Sequence, residues 1–87
     1  MLRPDILTFE TSDLNLASFL LCRRHNLVEL RRERDGRSGF VFEDSEVLQR
    51  EMLEFANDGN VSVRTFCSTL RDLKAMTRTS QRGGPHP

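Results

Sequence analysis

The chain is 87 residues long, with thirteen basic and thirteen acidic side chains, 37% hydrophobic and 30% charged residues. That composition excludes intrinsic disorder and leaves room for one globular domain with a modest core, since roughly two-thirds of the unfolded surface is buried at this length. The longest apolar stretch, Phe19-Leu20-Leu21-Cys22, is too short to span a bilayer, and Met1-Leu2-Arg3-Pro4-Asp5 holds no signal-peptide segment, so a cytoplasmic location is expected.

Ile6-Leu7-Thr8-Phe9 is a short β-compatible run after Pro4 and predicts a first strand. Thr11-Ser12-Asp13 follows, offering side-chain oxygens to the free N–H groups of a helix's first turn. Leu14, Leu16, Ala17, Leu20 and Leu21 then share one broad helical face with Phe19 at its edge, which predicts a helix over 13–24. Arg23, Arg24 and His25 fall where cations suit the carbonyl end of the helix dipole.

The run 27–34 predicts a second strand in which Val28 and Leu30 face the core, leaving Leu27 on the other side. Asp35-Gly36 is a turn signal, because Gly accepts the positive φ of tight hairpins. Ser38 to Phe42 returns as the third strand, with Phe40 and Phe42 inward and Val41 outward. Glu43-Asp44-Ser45-Glu46 opens a second helix, with Asp44 as the expected cap and Leu48, Met52, Phe55 and Ala56 as its buried face. Asn57-Asp58-Gly59 ends it.

Ser62 is placed to cap a third helix, in which Val63, Phe66, Leu70 and Leu73 recur at helical spacing with Cys67 at the edge. The pattern dissolves at Thr77. The expectation is therefore one α+β domain over 1–76, in the order β-α-β-β-α-α, followed by a disordered tail over 77–87. A three-stranded sheet with helices packed mainly on one face is the economical architecture.

Three segments carry a resemblance. Phe9-x-Thr11-Ser12-Asp13-Leu14-x-Leu16-Ala17-x-Phe19-Leu20, then Phe40-Val41-Phe42-Glu43-Asp44-Ser45, then a final helix with Phe66, Leu70, Leu73 and Lys74, resemble a family of short phage and bacterial proteins classed as domains of unknown function. The resemblance covers about residues 7 to 76. It implies a phage or mobile-element accessory context and brings no activity, catalytic residue or cofactor with it. One departure is visible: a Gly is expected to close the first helix, and this chain has Arg23-Arg24 there.

Chemistry of a catalytic kind finds little support. Cys22 and Cys67 lack metal-ligand spacing and read as small buried hydrophobes, and the two histidines, His25 and His86, complete no ligand set. Thr11, Ser12 and Asp13 are accounted for by capping, and no phosphate-cradling Gly-rich motif is present. No enzyme, metal, cofactor or small-molecule substrate is expected.

Charge placement says more. The basic residues are twelve Arg and one Lys, and neutrality conceals a basic hairpin, an acidic second helix and a basic third helix. On the third helix Arg64, Arg71, Lys74 and Arg78 fall within about a quarter turn at roughly 100° per residue. One reading sets this stripe against Glu51, Glu54 and Asp58 of the second helix as surface ion pairs, each contributing about 0–1 kcal/mol. Another joins it to the hairpin arginines Arg31, Arg32, Arg34 and Arg37 as one basic surface for nucleic acid, against which stands the sequence pI of about 6.7. The leading expectation is a non-catalytic accessory protein that binds a macromolecular partner, a protein (its own second copy included) before nucleic acid. Leu27 and Val41 on the sheet's far face would be its apolar contribution.

Overall fold

The computed structural model describes residues 7–32 and 35–82, with side chains described as far as Arg78. The chain folds as a small α+β domain in the order β1 (Thr8–Thr11), α1 (Leu14–Cys22), β2 (Leu27–Arg32), β3 (Ser38–Glu43), α2 (Glu46–Ala56) and α3 (Val63–Arg82). The sheet is antiparallel with strand order β1-β3-β2. The central position falls to the most apolar strand: Phe40, Val41 and Phe42 are each at most 1% exposed. Phe40 and Phe42 point into the core with Ala17, Phe19, Leu20, Leu48 and Leu73.

Caps fix where the helices begin. Asp13 accepts the N–H groups of Asn15 and Leu16, at 2.9 and 3.2 Å, and is itself held by its N–H donating to Thr11 Oγ1 at 3.0 Å. At α2 the cap is Ser45, whose hydroxyl accepts the Leu48 N–H at 3.0 Å; Asp44, the expected cap, instead receives the Ser45 N–H and the Gln49 side-chain amide. Ser62 accepts the Thr65 N–H at 3.3 Å, as its position before α3 predicts.

Helix α1 is more enclosed than its periodicity suggests. Four consecutive residues, Ala17 to Leu20, are buried, because α2 and α3 both pack against α1 and β1 touches it as well. Phe19 is thus a core residue and not an edge one. The one buried hydroxyl among the described residues, Ser18, donates to the Leu14 carbonyl at 2.9 Å.

Other expectations are corrected. A bulge between Leu27 and Glu29 puts one extra residue into β2, so Leu27 pairs with Phe42 and Leu30 with Phe40, both on the core face. The far face therefore lacks Leu27, and Val41 lies there buried between Glu10 and Glu29. The first strand runs two residues later than its apolar run, and Leu7 stands 75% exposed. Ala56 and Val63 are exposed, and Cys67 is exposed while Cys22 is half-buried. Helix α3 continues to Arg82, six residues beyond the boundary at 76; residues 83–87 of the expected tail lie outside the described residues.

Two helix exits use left-handed backbone without glycine. At the end of α1, the His25 N–H donates to the Leu20 carbonyl and the Arg24 N–H to that of Leu21, both at 3.0 Å, with Arg24 at φ 72°. That is the Schellman arrangement, with Arg in the place Gly fills most cheaply. At the end of α2, Asp58 has φ 64° and the Gly59 N–H donates to the Glu54 carbonyl at 2.6 Å. A Cβ at Gly59 would meet that oxygen at 2.8 Å.

Two substitutions therefore move stability in opposite directions. Arg24→Gly relieves a left-handed non-Gly residue and should stabilise by about 0.5–1 kcal/mol. Gly59→Ala forces the α2 exit apart and should destabilise by about 1–3 kcal/mol. Urea unfolding of each variant measures both; a less stable Arg24→Gly protein would mean that its side chain matters more than its backbone.

Candidate functional site

The exit of α1 gathers the densest polar cluster among the described residues. The Arg23 guanidinium donates to Glu51 Oε2 at 3.0 Å, lies 2.9 Å from Glu54 Oε1, and donates to the Asn60 carbonyl at 3.0 Å. Its central carbon sits 4.7 Å from the Phe19 ring centroid, and that ring packs at 5.3 Å on Phe55. His25 Nε2 lies 2.5 Å from Glu51 Oε1, so Glu51 is shared by two partners. Arg23 thus ties α1 to α2 and to the loop that leads into α3.

Protonation follows from this geometry. Burial pushes the Glu51 carboxyl up, but the hydrogen bonds and charges of His25 and Arg23 outweigh it and hold its pKa below the ordinary value. The hydrogen bond to Glu54 holds the Arg23 guanidinium above its ordinary value, against a smaller opposing effect of burial. On the hairpin, the Arg37 N–H on its carboxylate lowers the pKa of Asp35.

The second feature is the outer face of α3. Phe66 and Leu73 turn the helix toward α1, and Thr69 meets Cys22 across that seam at 3.8 Å. Arg64, Arg71, Lys74 and Arg78 are all exposed on another face. Helices α2 and α3 share no extended seam, so the expected matching of their charged stripes does not form. Glu51 and Glu54 are taken by Arg23 and His25, and among the described residues no ion pair reaches the four α3 cations. Cys67 stands exposed within the stripe.

The hairpin arginines Arg31 and Arg32 lie on opposite faces of the sheet. Arg31 reaches across the far face of the sheet to Glu10 at 3.0 Å and to Glu29 at 3.3 Å. Arg37 closes on Asp35 at 2.9 Å, Arg32 also has a partner, and Arg34 lies outside the described residues. Arg31 therefore faces away from the helical layer that carries the α3 stripe, whereas Arg32, two residues after Leu30 and paired with Ser38, falls on the helix side of the sheet.

Thr11 and Asp13 precede α1 and His25 follows it, so the nine-residue helix, about 14 Å long, keeps them apart. A cleft of about 570 Å³ between the α1 exit and the start of α3 is lined by Cys22, Arg24, Ser62, Thr65 and Thr69 among others, with no histidine or carboxylate in its wall. Among the described residues no three His, Cys, Asp or Glu side chains converge for a metal, and no helix is long and apolar enough to cross a membrane.

Sequence reasoning placed the cations of α3 and missed the α1 exit cluster. Arg23 and His25 are adjacent to a helix end in the sequence, which suggested dipole interaction alone; their carboxylate partners lie 26 to 31 residues away. No local signal announces such a pairing.

A family profile described as a domain of unknown function, DUF5659, matches residues 7–79, which takes in every described strand and most of α3. The chain belongs to that family. No curated protein and no solved structure matches it. The DUF5659 domain thus begins just before β1, and both polar features lie inside it.

Glu51 of this DUF5659 domain gives a pH test. Its carboxylate accepts from Arg23 and lies against His25, and replacing it with Gln should cost about 2 kcal/mol at pH 7. Because the folded pKa of Glu51 is depressed, its contribution is complete above the ordinary carboxylate range and is lost as pH falls through the lowered value. Wild type and Glu51→Gln should therefore converge in stability on acidification. A gap in urea midpoints that stays constant down to pH 3 contradicts this assignment.

Proposed function

We propose that this DUF5659 domain is a non-catalytic accessory protein that binds a macromolecular partner, with the exposed face of α3 as its contact surface and negative charge as what that surface selects. The observation that carries the reading is the set of four exposed α3 cations that, among the described residues, have no carboxylate partner, with Glu51 and Glu54 occupied by Arg23 and His25. A helix face of this kind attracts anionic surfaces and raises their rate of encounter. The resemblance to short phage and bacterial proteins is what supports a phage or mobile-element setting.

The sheet's far face has less to offer a partner. Leu27 is on the core side, Val41 is 1% exposed, and Arg31 is paired with Glu10 and Glu29. Docking through an apolar sheet surface therefore lacks its apolar residues. The anionic partner, whether an acidic protein surface or a nucleic acid, meets α3 in this reading.

Chromatography on heparin tests the surface without presupposing the partner. Wild type should be retained at low salt and released as salt rises, and Arg71→Glu/Lys74→Glu should pass through while keeping its far-ultraviolet circular dichroism. Both residues are exposed, so the double variant is expected to fold. Passage of the wild type through the column, or equal retention of the two proteins, would remove α3 as the contact.

A further inference from the structure

Resting on that reading of α3, we infer that the partner is the phosphate backbone of duplex nucleic acid, gripped along one strand without regard to base sequence. Protein–protein interfaces are built around apolar cores from which charge is depleted, whereas interfaces with DNA are polar and strongly cationic. The α3 face carries Arg64, Arg71, Lys74 and Arg78 with Cys67 among them and Val63 and Ala75 at its two edges, and the single acidic residue of the helix, Asp72, falls more than a quarter turn from the stripe's centre. The bulky apolar residues of α3 that are drawn into packing, Phe66 and Leu73, are on the side toward α1. The face therefore offers Val63 at its edge as its one large exposed apolar side chain among the described residues, short of the apolar core a protein partner would need.

The shape of the stripe narrows the nucleic acid. Single strands are held chiefly by stacking on aromatic side chains, and the one aromatic residue of α3, Phe66, is half-buried against the core. From Arg64 to Arg78 the helix advances about 21 Å, while the four positions span only about 80° of its circumference. A helix sunk in a groove meets phosphates on both flanks; one narrow row of cations follows a single phosphate rail. Three of the four are Arg, whose planar fork suits phosphate oxygens.

The neutral net charge does not oppose this. Five of the thirteen carboxylates are bound elsewhere: Glu10 and Glu29 by Arg31, Asp35 by Arg37, Glu51 and Glu54 by Arg23. What a phosphate rail meets at α3 is the local field of cations that have no ion-pair partner among the described residues.

Fluorescence anisotropy of the full chain with two 20-base-pair duplexes of unrelated sequence tests the inference, with a polyglutamate peptide as competitor. Both duplexes should bind alike, and four phosphate contacts predict a slope of roughly −3 to −4 in log affinity against log salt. Affinity should then fall roughly 100-fold between 50 and 200 mM salt. Arg71→Ala/Lys74→Ala should weaken both duplexes equally and make the slope shallower by about 2, whereas Arg37→Ala on the hairpin should change neither. Alkylation of Cys67, followed by peptide mass, should slow when duplex is bound. Absence of duplex binding at 50 mM salt, or a slope indifferent to the double variant, overturns the inference. Heparin retention combined with displacement by polyglutamate and no duplex affinity would preserve the α3 surface and assign it to an acidic protein instead.

Discussion

The arrangement of this domain turns on one side chain, Arg23, at the carbonyl end of α1. It lies over the Phe19 ring, reaches two carboxylates of α2, and donates to the Asn60 carbonyl just before α3 begins. These contacts are made by a half-buried group, where charge-assisted hydrogen bonds are stronger than the median surface ion pair. Their consequence is positional. With Glu51 and Glu54 turned to the α1 exit, α2 is committed to one side of α1 and α3 packs against α1 with no long seam to α2. The cations of α3 are then left facing outward.

Holding that exit in place requires Arg24 in left-handed backbone, a conformation that costs a non-Gly residue about 1–2 kcal/mol. The two hydrogen bonds of the Schellman turn satisfy carbonyls that the end of α1 would leave open, and they aim His25 at Glu51. Strain and ion pairs are thus parts of one device: the turn sets the direction of the chain, and the carboxylates of α2 fix it. The departure from glycine at this position was visible in the sequence as Arg23-Arg24, and its backbone consequence is what the structure adds.

Much of the fold was legible because it is decided locally. Asp13 and Ser62 act as caps because a short acceptor side chain precedes an apolar helical period, and Asn57-Asp58-Gly59 stops α2 because left-handed backbone and close carbonyl approach need small or turn-prone residues there. The Asp35-Gly36 turn, with Gly36 at φ 89°, belongs to the same class. What escaped depends on distant parts of the chain. The bulge at Val28 reverses the facing of Leu27, and alternation alone cannot register an inserted residue. The pairing of Arg23 with Glu51 links positions 28 apart, and the apparent complementarity of the α2 and α3 stripes is real on paper but not in space. Helix α3 outruns its apolar pattern to Arg82, since a helix needs no buried face in every turn once its earlier turns are docked.

The same separation of local and distant effects bears on the α3 cations. Arg71 and Lys74 are three residues apart and Lys74 and Arg78 four, spacings at which like charges oppose helix formation by a few tenths of a kcal/mol each. Elsewhere the chain resolves such conflicts with nearby carboxylates: Arg31 between Glu10 and Glu29, Arg37 on Asp35, Arg23 between Glu51 and Glu54. The carboxylate on α3, Asp72, sits off the stripe and does not relieve it. A surface that is charged against the interest of its own helix gains more from an anionic partner than a balanced one would, because binding removes the repulsion as well as adding attraction. The carboxylates that are paired in this domain are thus spent at the α1 exit, on the far face of the sheet and at the hairpin, and overall neutrality coexists with an uncompensated row of cations on α3 among the described residues.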